Sequence, residues 1–163
     1  MTNSNRNNTI AVTLELPPHE LHQNARIHWR TRAKAVDAYR RICWAALNIE
    51  LRKQGKSVCN RWPHCRADVT FVFHDRRRRD VTNYLAAMKS AWDGFEDAGL
   101  VEDDCVIWFG QVVGVIESGK SEVRIVLRNE APPSSFIEKP KIVKVVTTEQ
   151  SPPSPFSIHE SRG

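Results

Sequence analysis

Four short stretches of this chain are rich in β-branched and aromatic residues, and polar residues alternate with them or bound them. This pattern is typical of β-strands with one buried face. A Pro-Pro pair follows the first stretch, and a turn at Ser118-Gly119 separates the last two. The predicted strands are TIAVTLEL (9–16), RADVTFVF (66–73), CVIWFGQVVGV (105–115) and SEVRIVLR (121–128).

Two longer segments place apolar residues every three or four positions, as amphipathic helices do. The first lies in the basic stretch that begins at Asn24, and it ends at Gly55. The second runs from about 81 to 97 and ends before Gly99, because glycine readily adopts the left-handed conformation that closes a helix. The residues at helical spacing on one face are Val36, Tyr39, Cys43, Ala46 and Leu47 in the first helix and Leu85, Met88, Trp92 and Phe95 in the second.

The order of these elements is β-α-β-α-β-β, which predicts an α/β fold of a single domain, with one mixed sheet and helices packed on it. We predict a disordered N-terminus over 1–8 and a folded domain over 9–130. Residues 131–163 are rich in Pro and Ser, and we expect them to form a flexible tail. KIVKVVTT (141–148) within the tail resembles a strand, but a strand without a sheet is not stable.

The composition is that of an ordinary soluble globular protein, with 40% hydrophobic and 26% charged residues in 163. No apolar run approaches the roughly 20 residues that span a bilayer, and the N-terminus carries no secretory signal. Four cysteines are too few for a disulfide scaffold. We therefore expect a cytoplasmic protein with reduced thiols and no membrane partner.

Charge is distributed unevenly along the chain. Residues 22–79 carry 15 Lys/Arg against 4 Asp/Glu, whereas residues 80–130 carry 4 Lys/Arg against 10 Asp/Glu. A basic half of this kind favours binding of a polyanion such as nucleic acid. The alternative is that the two halves form solvated faces whose opposite charges partly pair.

The stretch 75–104, DRRRRDVTNYLAAMKSAWDGFEDAGLVEDD, combines arginines and carboxylates around one predicted helix. Asp80 follows a strand and an arginine run, Lys89 lies within the helix, and Asp103-Asp104 precede the next strand. Carboxylates at such element ends suit Mg²⁺, which commonly uses one or two carboxylates, several waters and a substrate phosphate. Arginines beside them suit the phosphates around a scissile bond. The structural alternative is a helix with acidic ends and solvated arginines.

Other chemistries have little support in the sequence. Cys59 and Cys65 flank His64, but their spacing is not that of a zinc site, and plain core or loop thiols explain them. No Gly-rich phosphate loop, serine-hydrolase elbow or HExxH helix is present. A basic transcription factor is not favoured either, because no short glycine turn joins two neighbouring helices.

The stretch 75–104 resembles the core motif of the RusA family of Holliday junction resolvases. That motif runs from an arginine run through Asp-x-Asp-Asn, a helical lysine and Asp-Ala-Gly to Asp-Asp before a strand. The segment NARIHWRTRAKAVDAYR, after the first strand and Pro-Pro, also resembles the start of one branch of the family. The likeness covers about 12–128.

The resemblance implies a Mg²⁺-dependent endodeoxyribonuclease that resolves four-way DNA junctions in recombination and repair, with Mn²⁺ able to substitute. It implies a homodimer, which matches a junction that is nearly two-fold symmetric. Asp80, Lys89 and Asp104 would be catalytic, Asp80, Asp103 and Asp104 would hold the metal, and Thr82 and Asn83 would support them. The expected DNA-binding residues are Arg26, Arg30, Arg32, Lys34, Arg76, Arg77, Arg78 and Arg79.

Two departures from the motif bear on activity. Thr82 stands where the family usually has its second aspartate, so one negative ligand is missing, and the interval from Asn83 to Lys89 is longer. An active nuclease with a two-carboxylate site is the favoured hypothesis. The alternative is a junction-binding protein whose cleavage is weakened or lost because of Thr82.

Overall fold

One mixed four-stranded sheet forms the centre of the fold in a computed structural model that describes residues 9–55 and 61–134. The predicted α/β class and single sheet are confirmed. The strands are β1 (Thr9–Glu15), β2 (Cys65–Phe73), β3 (Ile107–Ile116) and β4 (Glu122–Arg128), and the helices are α1 (Trp29–Lys53), α2 (Val81–Ala87) and α3 (Lys89–Asp97).

The strand order across the sheet is β1-β4-β2-β3, with β2 and β3 parallel and the other pairs antiparallel. The turn at Ser118-Gly119 therefore joins two strands that are not neighbours, because β2 lies between them. In β2 the odd-numbered residues from Cys65 to Phe73 are buried against the helices, and Arg66, Asp68 and Thr70 point to the other face. The alternation that predicted the strand thus also predicts which face the helices cover.

α1 packs on α3 through a row of buried residues four positions apart, namely Tyr39, Cys43, Leu47 and Leu51. The two helices approach closely at Gly94, where an added Cβ would lie 2.5 Å from the carbonyl oxygen of Arg40. A side chain at this position would force the helices apart. Arg40 and Asp97 form an ion pair across the same contact.

The single helix predicted over 81–97 is wrong, because the structure breaks it at Met88. The amide of Met88 donates to Leu85, three residues back, at 3.1 Å, so the turn is tighter than in an α-helix. Met88 itself is fully buried and its sulfur accepts from the Tyr39 hydroxyl at 3.5 Å. The break thus lies at a residue packed against α1, and Lys89 is the first residue of the next helix.

The ends of the elements follow local signals in the sequence. α1 begins at Trp29 rather than near Asn24, since the His28 side chain caps it by accepting from the amide of Arg30. α3 ends before Gly99, whose φ of 79° is in the left-handed region as predicted. Among the described residues, no helix has the length and apolar character needed to cross a membrane.

The predicted domain boundaries remain predictions. The N-terminal segment 1–8, the loop residues 56–60 and most of the predicted tail, 135–163, lie outside the described residues.

Candidate active site

Lys89 links two carboxylates from different parts of the chain. Its Nζ donates to Asp93 Oδ1 at 2.8 Å, one helical turn later, and to the carboxylate of Asp104. Asp104 opens a 3₁₀ turn, Asp104–Val106, immediately before β3. The hydrogen bonds that Lys89 donates to Asp104 and then to Asp93 raise its pKa above the ordinary value. Lys89 is therefore a fixed positive charge at neutral pH.

The Lys89–Asp104 pair lies on the wall of a cavity of about 390 Å³ between α2, α3 and the start of β3. Thr82, at the start of α2, is on the same wall. The remaining walls are apolar and are formed by Leu85, Ala86, Trp92, Ile107 and Phe109. The structure thus combines one carboxylate, one ammonium group and one hydroxyl in a recess with apolar sides.

Asp80 lies at the N-terminus of α2. It caps the helix, and its Oδ1 accepts from the amide of Thr82 at 2.9 Å. The amide of Asn83 donates to the Asp80 carbonyl at 3.1 Å, which places Asn83 in the first turn as predicted. Asp80 is exposed and does not line the cavity wall itself, whereas Thr82, two residues later, does.

Asp103 precedes the 3₁₀ turn and accepts from the amide of Cys105 at 2.8 Å. That backbone hydrogen bond is the main reason why the pKa of Asp103 lies below its ordinary value. Asp103 is exposed, whereas Asp104 is half-buried against the cavity. The two adjacent carboxylates therefore face different surroundings.

The fit of a metal ion to these residues is limited. Within 9–55 and 61–134, no three His, Cys, Asp or Glu side chains are grouped closely enough to hold an ion. Asp80, Asp103 and Asp104 therefore do not form a three-carboxylate cluster within one chain. Asp104 and the Thr82 hydroxyl on one cavity do provide oxygen ligands of the type that Mg²⁺ uses together with waters and a substrate phosphate.

The four arginines before Asp80 have different environments. Arg79 is only 16% exposed, pairs with Asp75 and lies 4.7 Å over the Phe73 ring, so it has structural partners. This pairing, above all the hydrogen bond from Arg79, lowers the pKa of Asp75 to about 2. Arg77 is 85% exposed at 3.5 Å from Asp75. Arg76 and Arg78 are exposed as well, which leaves three of the four available to a ligand.

The basic residues near α1 also include exposed residues and one that has structural partners. Arg26, Arg30 and Lys34 are exposed. Arg32 is half-buried, and its guanidinium donates to the carbonyl of Glu20 at 3.2 Å and to that of His22 at 2.7 Å. Arg32 thus ties α1 to the preceding segment, a role that the run of basic residues did not reveal.

Sequence reasoning missed Asp93 and the apolar walls of the cavity. The spacing of Lys89 and Asp93 was a usable signal, since oppositely charged side chains four apart on a helix are neighbours. The contributions of Ile107 and Phe109 carried no such signal, because they depend on how β3 docks beside α2 and α3.

Comparison with known proteins supports the resemblance found in the motif. No family model matches the chain. The curated crossover junction endodeoxyribonuclease RusA of Aquifex aeolicus (strain VF5) is 38% identical over 86 residues. This chain is similar to that RusA protein. The match covers 52% of this chain and 65% of the Aquifex protein, so it spans just under two thirds of that relative.

Proposed function

We propose that this RusA-like chain is a Mg²⁺-dependent endodeoxyribonuclease that resolves four-way DNA junctions by paired nicks, in recombination and repair. The observation that carries the proposal is the Lys89–Asp104 pair, which shares a cavity wall with Thr82. These residues occupy the motif positions of the helical lysine, the later aspartate and the second acid. The similarity to a protein named as a crossover junction endodeoxyribonuclease supports the substrate class.

Each polar group of the site has a role in this proposal. Asp104, with the Thr82 hydroxyl and Asp80 at the start of α2, would hold Mg²⁺, and Mn²⁺ would be able to replace it. The bound ion would supply an activated water and neutralise charge on the phosphodiester. Lys89 would stabilise the phosphate by a charge-assisted hydrogen bond from Nζ. The apolar walls would lower the local dielectric and strengthen that interaction.

The exposed basic residues would bind the DNA backbone around this site. Arg76, Arg77 and Arg78 immediately precede Asp80, and Arg26, Arg30 and Lys34 lie near the start of α1. A homodimer would place one site at each of two opposed strands of a junction that is nearly two-fold symmetric.

A second candidate is a junction-binding protein with weak or no cleavage. The position of Thr82 on the cavity wall favours this candidate, since the usual second carboxylate is missing at a point that faces the site. Mg²⁺ affinity depends on ligand charge, so the loss of one carboxylate weakens the metal site.

A cleavage assay on a synthetic four-way junction, with and without Mg²⁺, tests the proposal and separates the two candidates. We expect paired nicks with Mg²⁺ and none without it, while a linear duplex stays intact. Asp104→Asn and Asp80→Asn should each reduce cleavage by roughly 100-fold or more and leave junction binding in place. Tight junction binding without nicks at any Mg²⁺ concentration would favour the second candidate, and equal binding of junction and duplex would contradict both.

A further inference from the structure

The indole of Trp29 is unusually accessible for a tryptophan in this chain. Trp29 is the first residue of α1 and exposes 68% of its surface, whereas Trp62 and Trp92 are buried in the core. A single exposed apolar residue is common on protein surfaces and needs no explanation by itself. The neighbours of Trp29 and its position on α1 are the reasons to consider it a ligand contact.

Two neighbours hold the Trp29 ring and place positive charge beside it. The Arg30 guanidinium lies 5.2 Å from the centre of the indole, within the range of a cation–π interaction. The His28 ring is 5.8 Å away, and its Nδ1 accepts from the Arg30 amide at 3.3 Å. A flat apolar ring next to a guanidinium matches a nucleotide, whose base stacks on aromatic rings and whose phosphate pairs with arginine.

Trp29 shares a helix face with residues that line a cavity next to the candidate active site. Residues three and seven positions apart share a helix face, so Trp29 lies on the same face as Arg32 and Val36. These two residues line a small cavity of about 130 Å³ together with Lys89 and Asp93. At about 1.5 Å per residue, Trp29 lies roughly 5 Å along the helix axis from Arg32. Trp29 therefore lies about one turn of α1 before Arg32, on the helix face that borders this cavity.

We infer that Trp29 is a stacking platform for an unstacked DNA base next to the scissile phosphate. The bases of a continuous duplex are stacked inside it and do not reach such a ring. At the crossover of a four-way junction the stacking is interrupted, so a base is available there. The inference rests on the proposed function and adds a residue that would distinguish branched DNA from linear duplex.

Trp29→Ala, Trp29→Phe and Trp44→Ala provide a matched set of variants. Trp44 is 45% exposed and lies about 22 Å further along the axis of α1, so its replacement controls for the general loss of an exposed indole. Base–aromatic stacking is worth about 1–3 kcal/mol, so Trp29→Ala should weaken junction binding by roughly 5-fold or more. Duplex binding should change little, Trp29→Phe should retain most of the affinity, and Trp44→Ala should leave it unchanged.

Abasic nucleotides at the crossover identify the contact directly. Removing the base that stacks on Trp29 should weaken binding of the wild type but not of Trp29→Ala. If Trp29→Ala weakened binding to junction and to duplex equally, the inference would be overturned. Additive losses of affinity from Trp29→Ala and from the abasic nucleotide would overturn it as well. So would a loss of self-association in Trp29→Ala by sedimentation, because Trp29 would then belong to a protein interface. A wild type that binds junction and duplex equally would instead contradict the proposed function. In that case, binding of single-stranded DNA tests the platform: weaker binding by Trp29→Ala than by the wild type would support it, and equal binding would overturn it.

Discussion

The ammonium group of Lys89 contacts the carboxylate of Asp104, 15 residues further along the chain, and thereby joins the start of α3 to the start of β3. Lys89 is the first residue of α3, immediately after the break at Met88. Asp93, one turn later, holds the same ammonium group from the other side. Lys89 is thus positioned by two carboxylates before any substrate arrives.

Lys89→Ala should reduce junction cleavage by roughly 100-fold, because a preorganised charge next to a reacting phosphate is lost. Junction binding should fall much less, since one phosphate contact among many is removed. Single-turnover cleavage and equilibrium binding, measured on the same junction, separate the two effects. Asp93→Asn provides the comparison: it keeps the ammonium group and removes one of its partners, so it should cause a smaller loss of cleavage. Equal losses of cleavage and binding in Lys89→Ala would make Lys89 a plain phosphate contact.

Thr82→Asp should lower the Mg²⁺ concentration required for half-maximal cleavage. The added carboxylate would lie on the cavity wall with Asp104, and Mg²⁺ affinity rises with ligand charge. Thr82→Asn is the matched control, because it has nearly the same shape without the charge, and it should not lower the Mg²⁺ requirement. The measurement is a Mg²⁺ titration of the cleavage rate. An unchanged or higher requirement in Thr82→Asp would place residue 82 away from the metal.

The Asp75–Arg79 pair predicts a specific acid dependence of stability. The pKa of Asp75 is lowered from 3.8 to about 2, mainly by the hydrogen bond from Arg79. A lowered pKa in the folded state means that the pair stabilises the fold above pH 3.8 and that this stabilisation is lost as the pH falls through about 2. Urea unfolding of wild type and Arg79→Gln should therefore show a stability difference that is constant near neutral pH and shrinks between about pH 4 and pH 2.

A residual difference should remain at low pH, because Arg79 also lies over the Phe73 ring. Arg78→Gln is the control, since Arg78 is exposed, and its stability should follow the wild type at every pH. A constant difference between wild type and Arg79→Gln down to pH 2 would show that the ion pair does not contribute.

The sequence predicted much of the fold because strand alternation and helical spacing report burial directly. It did not predict the break at Met88, because the helical pattern of Leu85, Met88 and Trp92 continues through that turn. Local sequence patterns could not predict the strand order either, because β2 lies between β3 and β4, which are consecutive in the sequence.

The candidate site, like the fold, was predicted only in part from the sequence. Asp80, Lys89 and Asp104 were predicted from the order of charged residues and the resemblance to the RusA motif, and the structure brings Lys89 and Asp104 together. The functions of individual arginines were not separable by sequence. Arg32 and Arg79 look like their neighbours along the chain, but backbone carbonyls and Asp75 engage them in the fold.

This division among the basic residues leads to a last prediction, on the salt dependence of DNA binding. Arg30 and Lys34 are exposed on the first turns of α1, whereas Arg32 between them donates to the carbonyls of Glu20 and His22. Each phosphate contact contributes about −0.9 to the slope of log affinity against log salt on duplex DNA. Replacing Arg30 and Lys34 together by Gln should therefore flatten the slope by roughly 2.

Arg32→Gln should affect the stability of the fold rather than the salt dependence of DNA binding. It should leave the slope nearly unchanged and lower the free energy of unfolding by about 1–2 kcal/mol, because two hydrogen bonds from a charged donor are lost. The measurements are salt titrations of binding to junction and to duplex, with urea unfolding of the same proteins. The preference for junction over duplex should largely survive in the Arg30 and Lys34 double variant, since Trp29 and its His28 neighbour are kept and phosphate contacts carry little information on DNA shape. A slope that flattens in Arg32→Gln but not in the double variant would mean that Arg32, rather than Arg30 and Lys34, contacts the DNA phosphates, and the proposed role of the exposed residues of α1 would be wrong.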